Sequence, residues 1–556
     1  MTMTRSIAFV GAGPTTIYTL HALLDQTTPP FSLTIFEEQP TAGQGTPYRP
    51  GWNDPAMLSN IASIEIPPIE EPLVDWLRAQ PAQRLRALGV DPDEIGERTF
   101  YPRLALGGYF TDQFHALLER AERQGVAVEV RTRCRVVDAV SEADGMTLTV
   151  RARSGALSEA RFDHVVLATG HQWPADPQVR PGYFLSPWPA SALAGIAPCK
   201  VGIRGTSLSG IDASVALAVA HGEFIEDDGE ITYVPASGTE AFHMTMMSRK
   251  GLLPEADFFA PLPYEPSSIC TPEAMEALIA ADGMLLEPAF SLFKQELTAA
   301  DPDYAAGIGL ESSALEEFSE RYFESRVAAD PFEWAEANLA EAQRNYEAEY
   351  TVPWRYAILR MHEVLALIVP HLDAEEYRRF SRYLKPVFID DYATVPHTSI
   401  RRMLALHRAG KLDILAIGDD HRIDSHRPEG GAVVFANGER HVFAAFVEAT
   451  GQRPLAARKF PFPSLLAQGV IQDAQPEGSA HGSRGIAIDD QFHPMSDEMP
   501  EDQLFCLSLP FILGRHPFHQ GITSSHEMGL VVAEQLAAAI ARDAASDAPG
   551  EGKEAA

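Results

Sequence analysis

Cysteine is scarce in this chain: Cys134, Cys199, Cys270 and Cys506 are the only 4 among 556 residues, and none forms a CxxC pair. That spacing excludes a redox dithiol, a cysteine zinc site and a disulfide framework of the secreted kind. Positive charge is also in deficit. With 44 Lys and Arg against 77 Asp and Glu, the formal net charge is −33. A phosphate backbone or an anionic membrane surface would be repelled overall, so neither nucleic acid nor membrane is expected as a partner. No apolar run approaches the roughly 20 residues of a membrane span. Met1–Arg5 leads straight into an apolar strand without a signal-peptide pattern, so a cytoplasmic location is expected. HExxH is absent and no Ser/His/Asp or Cys/His nucleophile arrangement stands out, so no metal site is expected. Such silence suits a protein whose cofactor carries the chemistry.

What is present is apolar substance and glycine punctuation. The chain is 45% hydrophobic, enough at this length for several units with sizeable cores. Ser6–Val10, Gly11–Pro14, Thr16–Leu24 and Phe31–Phe36 read as strand, turn, helix and strand. A helix near Gly108–Gln124, strands at Val126–Val130 and Met146–Arg151, and a short buried strand Val165–Leu167 follow. A second strand–turn–helix starts at Lys200–Ile203 and runs through Ala220. Thr271–Arg382 is rich in Ala and Glu, with apolar residues three and four apart, and reads as a helical insertion. Strands return at Asp413–Ile417, Val433–Phe435 and Ala445–Glu448, and Ser525–Ile540 reads as a last helix.

In the first glycine turn, Gly11 permits the tight bend and Gly13 lets backbone approach a pyrophosphate at the helix N-terminus. Pro14, Thr15 and Thr16 complete it, and Thr16 stands where the usual fingerprint has a third glycine, so helix–strand packing there needs compensation. Glu37, or its neighbour Glu38 if the register differs by one, stands at the spacing of a ribose-binding acid. This turn is assigned FAD. The second turn carries Gly205, Ser207, Leu208 and Ser209, with Ser207 in place of the middle glycine. The strand Phe242–Met247 then ends at Ser248-Arg249-Lys250, cations where an NAD site would carry an acid, which favours the 2′-phosphate of NADPH. Thr169-Gly170 and Thr450-Gly451 each close a buried strand and are placed in the cofactor cleft.

Near the C-terminus, Ser524 and Glu527 have capping-box spacing, so a helix should begin there. Its N-terminus, with Gly521 and Thr523, suits the pyrimidine edge of a reduced, anionic flavin. His516, His519 and His526 surround it as candidate bases for a substrate amine, with a role as ordinary loop histidines as the competing view. Arg515, Arg103 and Arg484 are candidate cations for substrate carboxylates.

These residues resemble a family of bacterial FAD/NAD(P)-binding proteins related to the class B flavin monooxygenases. The likeness rests on Gly11–Pro14, Gly43–Tyr48, Leu58–Ala62, Tyr101–Arg103 with Gly108-Tyr109, Leu167–Gly170 with Pro174, and Pro353–Arg355 through Phe380, Leu384 and Pro386. It implies flavin contacts from Gln44, Gly45, Thr46, Asn60, Ala62 and Arg103. Ala168–Pro174 is similar to a turn of amine N-hydroxylases, and Ile512–Glu527 resembles a subgroup that oxidises aspartate to nitrosuccinate. Thr16 and Asp390-Asp391-Tyr392 depart from the family pattern, the latter where many relatives are rich in His and Arg.

The expected fold is α/β, two Rossmann-like dinucleotide-binding domains with a helical insertion. Its parts are an FAD domain over 1–198 and 453–542, an NADPH domain over 199–268 and 386–452, the insertion over 269–385, and a flexible tail over 543–556. The expected function is an FAD- and NADPH-dependent monooxygenase using O2 to N-oxygenate a small amino acid through a C4a-peroxyflavin. Oxygenation of a carbonyl or sulfide, an NADPH-dependent flavin reductase or oxidase, and a flavin-binding module without turnover are the alternatives. A homo-oligomer built through the insertion, or an insertion that covers the substrate side, both fit the pattern.

Overall fold

Two parallel sheets organise the chain, and each is stitched from segments distant in sequence. The computed structural model describes residues 5–26, 31–174, 176–227, 229–281, 283–474, 483–496 and 501–546. In the first sheet the strands lie in the order Leu504–Cys506, His164–Leu167, Arg5–Val10, Phe31–Glu37, Ala127–Thr132, all parallel. A parallel sheet needs cover on both faces, which explains unbroken apolar strands such as Ile7-Ala8-Phe9, fully buried here. Pro14–Gln26 packs against both Arg103–Arg123 and the C-terminal helix Ile522–Ser546. That last crossing is close: a Cβ at Gly529 would lie 2.8 Å from the Thr19 nitrogen.

The second sheet runs Leu412–Ala416, His243–Ser248, Lys200–Arg204, Ala445–Glu448 and Tyr183–Phe184 in parallel, with Gln178–Arg180 antiparallel at its edge. Small antiparallel sheets decorate both units. One of them, Cys134–Glu142, Gly145–Ala152 and Leu157–Phe162, contains the strand expected at Met146–Arg151.

Between two neighbouring strands of the second sheet, His243–Ser248 and Leu412–Ala416, comes a helical segment running from Pro272–Ala280 to Lys385–Tyr392. It has its own core, centred on Phe290, Phe293, Phe318, Leu365 and Phe388. The Lys385-Pro386 step, where the sequence suggests a boundary, is not a helix end. Pro386 follows the π-helical turn Phe380–Leu384 without a break in helical backbone, so the helical stretch continues to Tyr392. A buried ion network ties this segment to the second sheet. Arg355 Nε reaches Glu255 at 2.8 Å, and Arg326 donates to the Leu253 carbonyl at 2.7 Å while pairing with Glu255 and Asp390. Asp390, a departure from the family pattern, therefore balances an arginine.

Among the described residues no helix is long and apolar enough to cross a membrane. The last helix, Ile522–Ser546, extends past Ile540, so the expected tail begins in helix and its residues 547–556 lie outside the described residues.

Candidate functional site

The two glycine turns obey one hydrogen-bonding plan. At the first, Gly11 N–H donates to the Phe36 carbonyl at 2.8 Å and Ala168 N–H to the Val10 carbonyl at 2.9 Å. At the second, Gly205 N–H donates to the Met247 carbonyl at 2.8 Å and Ala449 N–H to the Arg204 carbonyl at 2.8 Å. Gly11 has φ 105° and Gly205 φ 134°, and a Cβ on either would strike a backbone oxygen, Ala168 at 2.3 Å and Ala449 at 2.1 Å. Each turn thus abuts one of the two Ala-Thr-Gly strand ends. Gly170 and Gly451, at φ 63° and 77°, have nothing within 4 Å of an added Cβ, so both open into free space.

Around the first turn, Gly13 approaches Gly45, with 3.2 Å from an added Cβ to the Gly45 Cα, so loop Gly43–Tyr48 folds over the helix start at Pro14. Thr16 is fully buried and its hydroxyl donates to the Gly11 carbonyl at 2.6 Å, the compensation its presence calls for. Thr15 bonds Ser525 of the C-terminal helix at 3.2 Å. Glu37 faces the turn: its carboxylate accepts from Ala12 N–H at 3.1 Å and Gln39 N–H at 2.8 Å. Burial pushes its pKa up, against the pull of those two N–H groups. Glu38 is exposed and pairs with Arg135 at 3.5 Å. Thr169 bonds Ser508 at 2.7 Å. Ala62 is buried, its N–H held by Glu65 at 3.1 Å.

A cleft of about 2110 Å³ lies between the two sheets and the helical segment. Thr46, Asn60 and Arg103 line it, as do Gly205, Ser207, Leu208, Ser209, Ser248, Arg249, Lys250, Thr450 and Gly451, so nearly the whole second turn and its basic strand end open onto it. Ser248 Oγ accepts from Thr206 at 3.1 Å. Arg249 and Arg382 share Asp419, at 3.7 and 3.0 Å, and Lys250 lies 4.3 Å from the Phe323 ring centre. The helical segment therefore supplies one face of the basic rim.

On the other side the C-terminal helix begins at Ile522, two residues before Ser524, which sits inside its first turn. Gly521, Thr523, Ser524 and Glu527 line the cleft together with His516 and His519, whose rings are 4.7 Å apart. Burial, then repulsion from His362, pushes His519 down to about 4; burial, then His519 and Arg515, takes His516 well below its usual value. Both imidazoles are neutral at pH 7. His526 is not among the lining residues; its ring packs 5.3 Å from Tyr18. Glu527 is pushed up to about 7, by burial first and by Glu363 second.

The three candidate arginines are occupied within the fold. Arg103 pairs with buried Asp212 at 2.7 Å, Arg515 with Asp490 at 2.5 Å, and Arg484 donates to the Leu372 and Asp373 carbonyls at 3.0 and 2.7 Å. Several lining residues carry no local motif and were not picked out from the sequence: Trp188, Tyr264, His362, Arg382 and Lys385. Trp173 packs on Trp188 at 5.0 Å, and His171, beside it, has its pKa pushed down to about 4 by burial first and by Arg103 next. Of these two, the signal available was their place in the stretch after Gly170.

This arrangement has counterparts among known proteins. A family model described as FAD-NAD(P)-binding matches residues 8–172, and one described as YdhS-like middle domain matches residues 271–392. The ornithine hydroxylase PvdA from Pseudomonas aeruginosa shares the fold, with a TM-score of 0.51 at 12% identity over 96% of this chain and 99% of that one. The uncharacterised protein YdhS of Escherichia coli (strain K12) is 42% identical over 537 residues, covering 96% of this chain and 97% of the relative. With that identity over nearly its whole length, the chain belongs to the YdhS family, an FAD-NAD(P)-binding fold carrying a YdhS-like middle domain.

Proposed function

We propose that this chain is an FAD- and NADPH-dependent monooxygenase that N-oxygenates the amine of a small amino acid. The observation that carries it is the pair of matching glycine turns, with the second turn and the start of the C-terminal helix opening onto one cleft. FAD fits the first turn: Gly11 and Gly13 let the helix start pack tightly against Ala168 and Gly45, as a pyrophosphate-binding turn requires, Glu37 presents a carboxylate for a ribose, and the backbone at Gly170 borders open space. NADPH fits the second, with Gly205 and Ser207 for its phosphates and Arg249 and Lys250 for its 2′-phosphate. When bound, reduced FAD supplies the activated oxygen. The helix N-terminus at Gly521–Ser524 favours negative charge on the flavin's pyrimidine edge. His516 and His519, uncharged, add no positive charge that would repel a substrate ammonium. The amine must shed a proton before it can act as a nucleophile, and Glu527 has the pKa suited to accept it near pH 7. The fold shared with an ornithine hydroxylase supports an amine substrate.

Aspartate, taken to nitrosuccinate, is the finer reading, supported by the likeness of Ile512–Glu527 to that subgroup. The test is NADPH consumption and O2 uptake by the FAD-loaded protein across a panel of amino acids, with mass spectrometry for hydroxylamine or nitro products. Substrate-coupled consumption with an N-oxygenated product is expected. Consumption indifferent to every amine, with all O2 returned as peroxide, would remove the monooxygenase reading; a flat response to aspartate alone would remove only the finer one.

A further inference from the structure

Most cations that line the cleft have a counter-charge or a ring beside them, and Arg453 stands exposed to water. Arg103 is held by Asp212, and Arg249 and Arg382 by Asp419 at the basic rim. Arg378 pairs with Glu375, and Lys250 lies over the Phe323 ring. Lys385 differs. Among the described residues its ammonium has no acid within ion-pair distance and no hydrogen-bond acceptor, yet it lines the cleft and is largely removed from bulk water. Burial alone pushes its pKa down to about 8, and no neighbouring charge offsets that effect. An ammonium without a counter-ion is a costly thing to place in a protein wall unless an anion comes to it.

Its position says which anion. Lys385 opens the helix Lys385–Tyr392 directly after the π-helical turn Phe380–Leu384. Turns of that kind re-aim the residues that follow them and recur at functional sites. Phe380 and Phe388, on either side of Lys385, pack on Phe518 with ring centres 6.3 and 5.7 Å apart. Phe518 stands between His516 and His519, so the wall bearing Lys385 continues into the wall bearing those histidines. Glu65, Glu363 and Glu527 line the same cleft and suit an ammonium group.

We propose that Lys385 seats the carboxylate of the substrate, which makes the substrate an amino acid rather than a simple amine. This rests on the reading of the cleft as an amine-oxygenating site and names the second group that site recognises. The middle segment is then part of the substrate site as well as a cover for it.

The experiment is calorimetric titration of the FAD-loaded protein with L-lysine, L-ornithine and L-aspartate, and with the carboxylate-free diamines cadaverine and putrescine. Wild type should bind at least one amino acid, and bind L-lysine or L-ornithine more tightly than the matching diamine. Lys385→Met should weaken amino-acid binding about tenfold to a hundredfold, the scale of one charge-assisted contact, and leave diamine binding within about twofold. Lys385→Arg should recover most of the loss. Equal weakening of amino acids and diamines, or no amino-acid binding to wild type, would overturn the proposal. So would a Lys385→Met variant that loses affinity for 2′,5′-ADP alone, because the lysine would then serve a coenzyme phosphate. If the amino-acid pattern holds but no panel member couples NADPH use to an oxygenated product, the carboxylate seat stands and the oxygenation reading falls.

Discussion

Glu527 concentrates the chemistry of single residues at this site. It lies in the second turn of Ile522–Ser546, lines the cleft, and holds its proton up to about pH 7 because burial and Glu363 disfavour the carboxylate. Below that pH it is a neutral acid, and above it an available base. Substrate-coupled turnover should therefore rise through about pH 7, and Glu527→Gln should flatten that limb while lowering kcat by about 10²- to 10⁴-fold, the usual worth of a positioned base. The same shift has a stability sign. The folded chain keeps a proton that the unfolded chain releases near the ordinary glutamate value of 4.5, so this group's contribution to stability falls as pH rises from there to about 7. Glu527→Gln should raise Tm at pH 8 relative to wild type, with a smaller gain at pH 5; thermal melts at the two pH values check it. An unchanged pH–rate profile would take the base role from Glu527. Sequence alone pointed to three histidines instead, because burial, which turns His516 and His519 into poor bases, has no local sequence signal. Thr16 was half legible. Its departure from the glycine pattern was visible, but the 2.6 Å bond to the Gly11 carbonyl that accommodates it was not.

At the scale of elements, the strand–turn–helix units were the most readable part of the chain. Each is encoded within about thirty contiguous residues, by an apolar strand, glycines at fixed offsets and an apolar helix. Small antiparallel strands such as Gly222–Asp227 and Glu230–Pro235 escaped, because their alternation is interrupted by charge and they are stabilised by what they pack against. The matching turns make a paired prediction. An alanine Cβ at Gly205 would lie 2.1 Å from the Ala449 oxygen, and one at Gly11 2.3 Å from the Ala168 oxygen, each on a backbone that disfavours side chains. Gly205→Ala should purify with its flavin and lose NADPH affinity by tenfold or more, about 1.4 kcal/mol. Gly11→Ala should lose flavin first. Flavin absorbance per chain and NADPH titration read the two separately, and a Gly205→Ala protein that keeps NADPH while losing FAD would reverse the assignment of the turns.

For the whole molecule, the unreadable part is the cleft itself, since it is made where remote segments meet. Lys385 comes from the middle segment, His519 from the C-terminal stretch and Arg249 from the second sheet, and no spacing rule links them. Arg103 shows what such meetings decide. Sequence placed it as a cofactor or substrate cation, yet it begins Arg103–Arg123 in the first unit and reaches Asp212 of Leu208–His221 in the second. Its Nε also donates to the Leu58 carbonyl at 3.1 Å. The side chains are 12% and 8% exposed, so two charges have been withdrawn from water to join the nucleotide units. Desolvation raises the Asp212 pKa and Arg103 opposes it, which makes the carboxylate dependent on its partner. Removing either partner strands the other charge, so Arg103→Met or Asp212→Leu alone should cost about 3–5 kcal/mol. The double variant, with both charges gone, should cost less than either single change, a coupling that denaturant midpoints in a double-mutant cycle would measure. In the proposed assignment of the two turns nicotinamide and flavin meet across this junction, so the double variant should also reduce its flavin with NADPH more slowly in stopped flow, even with stability restored. Additive single costs, or flavin reduction at the wild-type rate in the double variant, would mean that the pair does not govern how the two nucleotide units are held together.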